Sequence, residues 1–288
     1  HAAVSNPWDA IWWAFLRLSD PGYLGDDQGA VLRTISTILT VAGYVLFLGV
    51  LVAVLTQGLN EWIRRLEMGL SPISARQHVI LLGWSNRLPG IVRNLMISEQ
   101  RVKRFLLRIG ARRLKLVLLV NEVTPHHTAE LRAHLGGGWR SRDLILRSGS
   151  PLRLDHLKRV DYLQASTIVL PAEDRSTGHS AAQSDNAAIK TVLAIAHSMR
   201  IAAADRPPPL LVTELYDARK IPIALHSYRG PIEVVATDEV VSRMVAQMVR
   251  HPQISHVYRE LLTPASGNEI YVRDCPSEFE HTSFWRLA

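Results

Sequence analysis

A doubly wound, mostly parallel α/β domain hung from a membrane-spanning helix, with a small α+β lobe behind it, is the architecture this sequence predicts. Three observations carry it. Residues Thr34 to Asn60 hold no charged side chain. From His78 onward, short apolar runs alternate with helical stretches. The first run ends in Gly83-Trp84-Ser85-Asn86, a glycine turn that opens a helix.

The uncharged stretch exceeds the roughly 20 apolar residues a helix needs to cross about 30 Å of hydrocarbon, so residues 35–59 are read as transmembrane. Buried helices of soluble proteins are usually shorter and broken by polar residues. A signal peptide fits poorly, because the stretch lies too far in and no small-residue cleavage pattern precedes it. Before the span lie Asp9, Asp20, Asp26 and Asp27 with Arg17 and Arg33; after it come Arg64, Arg65, Arg76, Arg87 and Arg93. The positive-inside rule therefore assigns the C-terminal part to the cytoplasm. The chain opens on His1 without an initiator methionine and is expected to be a fragment of a protein with further membrane helices upstream.

The net charge of +7 is concentrated next to the span: residues 64–115 hold twelve Lys/Arg and, as acids, only Glu67 and Glu99. Positive charge facing anionic lipid explains that distribution. No basic motif interleaved with aromatics appears, so nucleic acid is not an expected partner. The single cysteine, Cys275, excludes an intramolecular disulfide and fits a reducing compartment.

Ahead of the span, residues 7–18 read as a short helix. Asn6 can cap it, and Pro7 suits the first position, where no backbone donor is needed. About twelve residues are too few to cross a bilayer but suit a re-entrant half-helix, with Trp8, Trp12 and Trp13 at an interface. Ser19-Asp20-Pro21-Gly22-Tyr23 then forces a turn. Half-helix, glycine turn and full span form the layout of a tetrameric cation-channel pore, because non-helical backbone survives at membrane depth only when it is buried or lines water. Four copies of Asp20 would form a cation-attracting ring, and carbonyls around Gly22 would replace ion hydration. An ordinary extramembrane turn after an interfacial helix is the alternative. Within the span, Gly43 is a candidate gating bend, and Gly49 a second hinge candidate or a point of close helix approach.

Apolar runs at 78–82, 114–120, 144–146, 167–170, 210–213 and 233–235, separated by helices such as 185–199, predict parallel strands buried on both faces. The dinucleotide fingerprint Gly-x-Gly-x-x-Gly is degenerate: Gly83 is kept, Ser85 and Leu88 take the second and third places, and Glu122 follows the second strand as the ribose-binding acid. Gly83, Trp84, Ser85 and Glu122 are thus the candidate nucleotide residues, with retention of the glycine for packing alone as the alternative. Arg87 stands where a nucleophile elbow needs its second glycine, and no catalytic constellation is found, so no enzyme is expected. His126-His127 reads as a solvated pair. Glu173, Asp174 and Asp185 flank the end of the fourth strand, where oxygen ligands suit a hard cation such as Ca²⁺ but also suit helix capping.

Pro207-Pro208-Pro209 reads as a stiff connector. Residues 237–250 form an amphipathic helix with Val240, Val241, Met244, Val245 and Met248 on one side, a face that pairs two subunits or packs inside one. Beyond Pro252 a second lobe is expected, with a strand at 269–272. The expected organisation is therefore a pore segment at 1–60, a linker at 61–77, a Rossmann-like domain at 78–236, and a helical crossover with the start of the lobe at 237–288.

The motifs His78-Val-Ile-Leu-Leu-Gly-Trp-Ser-Asn-Arg-Leu, Arg147-Ser-Gly-Ser-Pro-Leu-Arg-Leu-Asp-His-Leu-Lys, Gln183-Ser-Asp-Asn-Ala and Ala236-Thr-Asp-Glu-Val-Val-Ser-Arg-Met closely resemble the Castor/Pollux family of ion channels, known from plant nuclear envelopes and with bacterial relatives. The resemblance runs from about Trp12 to the C-terminus. It implies a homotetrameric cation channel in a membrane, the plasma or inner membrane if the source is bacterial, gated by a cytoplasmic ring of regulator-of-K⁺-conductance (RCK) domains, with Ca²⁺ or a nucleotide as regulator. Asp20 and Gly22 match the family's Asp-x-Gly filter, and Gly43 matches a glycine of its inner helix. Pro21 and Tyr23 depart from the filter, and Thr-Val-Gly-Tyr-Gly is absent, so K⁺ is favoured among monovalent cations without selectivity being carried over. A membrane-anchored NAD(P)-dependent oxidoreductase and a regulatory subunit of a K⁺ transporter are the rival readings.

Overall fold

The computed structural model describes residues 6–19, 29–96, 99–138, 140, 142–173, 178, 180–202, 207–263, 279 and 282. The chain divides into two units, 1–67 and 68–288.

In the first unit, α1 (Pro7–Ser19) packs on α2 (Ala30–Glu67). The first amides of α1 satisfy themselves on the Asn6 carbonyl, which accepts from Asp9 N and Ala10 N. At about 1.5 Å of rise per residue, the 38 residues of α2 far exceed what a bilayer needs. Its apolar side chains lie on the surface: Val41, Val45, Phe47, Val50 and Leu55 are all more than half exposed. A soluble core helix would bury that face, so α2 is long and apolar enough to cross a membrane and has the exposure lipid or partner helices require. The helix continues through Glu67, and residues 61–67, expected as linker, extend it.

The second unit is built on a six-stranded, wholly parallel sheet in the order β3-β2-β1-β4-β5-β6. Its strands are β1 (Val79–Leu82), β2 (Leu116–Val120), β3 (Leu144–Ser148), β4 (Thr167–Leu170), β5 (Leu210–Leu215) and β6 (Ile232–Ala236). Every residue of β1 and β2 is buried, because helices cover both faces. Alternation sorts their side chains. Ile80, Leu82, Val117 and Leu119 join the core under α6 (Leu154–Arg159), α7 (Ala181–Ala202) and α8 (Ile221–Ser227). Val79, Leu81, Leu116 and Leu118 join the opposite core, with Leu88 and Val92 of α3 (Leu88–Met96) and Leu131 of α5 (Pro125–Leu135). An additional helix, α4 (Glu99–Ile109), follows α3 before the chain enters β2.

Cover thins toward β6, where Val235 is exposed. α9 (Thr237–Arg250) and α10 (Ile254–Leu262) follow. On α9, Val240, Val241, Val245 and Met248 are exposed and Met244 is half-buried, so among the described residues this face does not pack inside the chain. The strand expected at 269–272 lies outside the described residues.

The segment entering β1 is a strap fastened to the sheet. Ser148 Oγ donates to the Met68 carbonyl, Ser148 N donates to Gly69 O, Ile73 N to Arg159 O, and Gln77 N to Gln164 O. Gly69 has φ +64°, and a Cβ there would stand 2.9 Å from Leu146 O and 3.0 Å from Arg147 Cα, both backbone atoms that cannot step aside. At the end of the strap, His78 is fully buried, and its Nε2 lies 2.9 Å from Val160 O. A neutral imidazole donating from Nε2 satisfies that carbonyl. Burial lowers the His78 pKa below its ordinary 6.5, against the opposing pull of the Val160 carbonyl.

Two outcomes follow from the strap. Gly69→Ala should lower domain stability by about 1–3 kcal/mol through overpacking and a left-handed backbone, read as a fall in thermal midpoint. Because the folded pKa of His78 lies below 6.5, its neutral form is favoured at higher pH. Stability should therefore hold above pH 6.5 and fall as pH drops below it, by at most about 1.4 kcal/mol per pH unit from this residue. His78→Gln should flatten that slope in denaturant titrations at pH 7.5 and 5.5.

Candidate ligand-binding crevice

Crossovers leave β1 and β4 in opposite directions along the sheet, which opens a crevice beyond their carboxyl ends, the usual ligand position of open α/β sheets. A cavity of about 400 Å³ lies there. Gly83, Trp84 and Ser85 wall it from β1, Asn121 and Glu122 from β2, Glu173 from β4, and Ser184 from α7. All four residues expected for a nucleotide therefore line one cavity. Gly83 has φ +82° with open space around its Cα, so this position needs glycine for backbone conformation and not for room.

The loop departs from a dinucleotide cradle in specific ways. Ser85 is 3% exposed, and its Oγ has no hydrogen-bond partner. A buried hydroxyl without a partner usually costs about 1–3 kcal/mol, and this one stands at the helix entrance where a ligand oxygen could satisfy it. Leu88 N already donates to Ser85 O at 2.9 Å, and Pro89 has no N–H, so fewer amides of α3 are open to an anion than in a glycine-rich turn. Leu88, in the third glycine place, is wholly buried in the core and closes helix against strand by packing.

Trp84 lies against His127, with ring centroids 4.1 Å apart. His127 Nδ1 accepts from Thr124 N at 3.3 Å. Burial, reinforced by the neighbouring His126, lowers the His127 pKa against the pull of Glu130. The expectation of a solvated histidine pair holds for His126, which is exposed, whereas His127 is an aromatic wall behind Trp84.

Sequence reading missed a node beside the crevice. Arg87 does not simply crowd the turn: its Nη1 donates to Glu214 Oε1 at 2.5 Å, and its Nη2 reaches Ala172 O at 3.5 Å. Glu214 also accepts from Ala172 N at 3.0 Å and from Thr237 Oγ1 at 2.5 Å. One carboxylate thus ties the first loop, the end of β4 and the first residue of α9. A charged residue near the end of the apolar strand Leu210–Leu215 was its only visible signal.

Of the three acids expected near the end of β4, the two described serve different surroundings. Asp185 is 1% exposed; it accepts from Tyr216 N at 2.7 Å and Asp217 N at 3.1 Å, with Lys220 Nζ at 3.3 Å. It holds the turn after β5, a capping role for a neighbouring loop. Glu173 lines the crevice instead, its own carbonyl accepting from Ser184 Oγ and Tyr216 OH. Asp174 lies outside the described residues, and among those described no three His, Cys, Asp or Glu side chains group to hold a metal. In the first unit, Ser19 is the last residue of α1, while Asp20, Pro21, Gly22 and Tyr23 lie outside the described residues. Gly43 is buried in α2, and Gly49 is exposed with nothing near its missing Cβ.

No family model matches the chain. Among curated proteins it is 25% identical to "Ion channel DMI1" of Medicago truncatula over 268 residues, 93% of this chain and 28% of that protein. It is 25% identical to "Ion channel POLLUX" of Lotus japonicus over 276 residues, 96% of this chain and 28% of that protein. "Ion channel CASTOR" of Lotus japonicus is 23% identical over 92% of this chain and 29% of its own length. The resemblance to Castor/Pollux channels therefore extends over nearly the whole chain, which itself spans under a third of these relatives. Similar solved structures include the "GsuK channel bound to NAD" (18% identity, TM-score 0.39, covering 83% of this chain and 36% of that one). The "human SLO3 gating ring" is another (14% identity, TM-score 0.45, covering 66% and 34%). The Rossmann-like assignment rests on the strand order, not on these overlays.

Glu214→Ala should destabilise the domain by about 1–3 kcal/mol, because Arg87, Ala172 N and Thr237 lose a shared acceptor. Ser85→Ala should leave stability unchanged or raise it slightly, since no bond is lost. Both are read by urea unfolding of the same preparation.

Proposed function

We propose that this chain is the pore and first cytoplasmic segment of a ligand-regulated cation channel. The observation that carries the reading is the alignment to named ion channels: covering 93% of the chain, it necessarily takes in both α2 and the parallel sheet. In this reading α1 is the pore half-helix and Ser19 to Tyr23 the filter turn. Four copies surround one axis, α2 lines the lower pore, and Gly43 and Gly49 are its hinge positions. The ion is a monovalent cation, K⁺ by preference, drawn in by the ring of Asp20 carboxylates. The α/β unit faces the cytoplasm, as the basic residues after the span suggest.

The crevice is the regulatory site, and a nucleotide is its proposed ligand. The support is local: the Gly83 turn, the unpaired Ser85 hydroxyl at the entrance to α3, and Glu122 at the end of β2, where a ribose-binding acid stands in this fold. Binding gates the pore only if the ligand favours one arrangement of the domain over another. Calcium is a second candidate regulator, and of its three expected ligands Glu173 is the described one that lines the crevice.

Single-channel recording of the full-length protein in bilayers tests the reading. Cation current should appear, and Asp20→Asn should lower conductance or change the cation-to-anion permeability ratio. Silence under every nucleotide and calcium condition would refute the channel. Calorimetry should detect adenine nucleotide binding, and Ser85→Ala should weaken it by about fivefold, the worth of about one hydrogen bond. Unaltered affinity would remove Ser85 from the site.

A further inference from the structure

α4 is the only element of the β1-to-β2 crossover that a minimal strand-helix-strand unit does not need, and its two sides differ sharply in chemistry. Val102, Phe105, Leu106 and Ile109 are half-buried, and Phe105 packs against the core beneath α3 and α5. On the other side Lys103, Arg104, Leu107 and Arg108 are exposed, and the loop that follows adds exposed Arg112 and Arg113. Residues 101–115 contain no acid. Leu107 is 81% exposed, an apolar side chain standing out from a field of cations.

We propose that the outer face of α4, with the loop after it, docks on the anionic headgroups of a lipid bilayer. The pattern fits that partner: cations pair with phosphates, while one apolar side chain enters the boundary between headgroups and acyl chains. A nucleic-acid surface would match the charge but has no use for a protruding leucine. Connectivity favours the membrane as well, because the domain begins at Met68, directly after the membrane-length helix α2, and is strapped to its own sheet from Gly69 onward. The docking rests on the reading that α2 spans the bilayer.

The test uses the full chain in nanodiscs of phosphatidylcholine, with or without phosphatidylglycerol, and reads amide hydrogen exchange over residues 101–115. Phosphatidylglycerol should slow exchange in this segment, and added salt should restore it. Arg104→Glu with Arg108→Glu should abolish the slowing, since each lost cation lowers the docked population by roughly fivefold. Arg104→Lys with Arg108→Lys should keep it, and Leu107→Ser should reduce it with every charge in place. These side chains are exposed, so unchanged thermal midpoints will show that the variants are folded. Equal exchange in both lipids overturns the docking, and so does RNA protecting the segment as well as phosphatidylglycerol does. Insertion of α2 is read separately by resistance to alkaline carbonate. A chain that inserts yet ignores lipid charge refutes the docking alone. For a chain that fails to insert, the span reading falls, and exchange with added phosphatidylglycerol vesicles decides the docking by the same criterion.

Discussion

Burial of the central strands on both faces is the constraint from which the rest of the α/β unit follows. β1 and β2 expose none of their residues, so each needs a helical layer above and below. Parallel strands reach that state only through crossovers, and crossovers of one hand carried outward from the middle produce the order β3-β2-β1-β4-β5-β6. The point where the order reverses is then a gap that no crossover can cover. The crevice at Gly83, Glu122 and Glu173 is a topological consequence of burying Ile80 and Leu81 on opposite faces.

This explains what could be read from the sequence. The strands were legible because a doubly covered strand is an unbroken apolar run; β4 falls where it was expected, and β1, β2 and β6 differ by one or two residues at their ends. β3 and β5 run further than expected because Arg147, Ser148 and Glu214 look like loop residues until their partners are known. Ser148 is paid for by Met68, eighty positions away, and Glu214 by Arg87 and Thr237. The crevice residues were legible because the glycine turn and the acid after the second strand are tied to strand ends. Asp185 was not: four residues into α7 it turns inward to backbone amides of the loop after β5, and local sequence holds no trace of that contact. Nor could sequence show that His127 would leave solvent to pack on Trp84.

Glu214 gives the crevice mechanical reach. Its carboxylate joins the loop that carries Trp84 and Ser85 to the first residue of α9, and hydrogen bonds to a charged group are among the stronger ones, about 1.5–3 kcal/mol each. Arg87 and Thr237 donate to the same oxygen of Glu214. The helix so held displays Val240, Val241, Val245 and Met248 to its surroundings, a face that needs cover from something other than the described chain. One side chain, Glu214, thus stands between the crevice loop and the helix that carries this face.

The other end of the sheet has a comparable absence of slack. Between the end of α2 at Glu67 and the start of β1 at Val79 the chain is held at Met68, Gly69, Ile73 and Gln77, so it cannot act as a loose spring. Ser148, which grips Met68 and Gly69, also accepts from Val123 N, the segment that follows the crevice residues Asn121 and Glu122. One serine therefore holds both the residue after α2 and the loop that follows β2. Backbone hydrogen bonds, together with a glycine that has no room for a side chain, keep residues 68–77 fastened to the sheet.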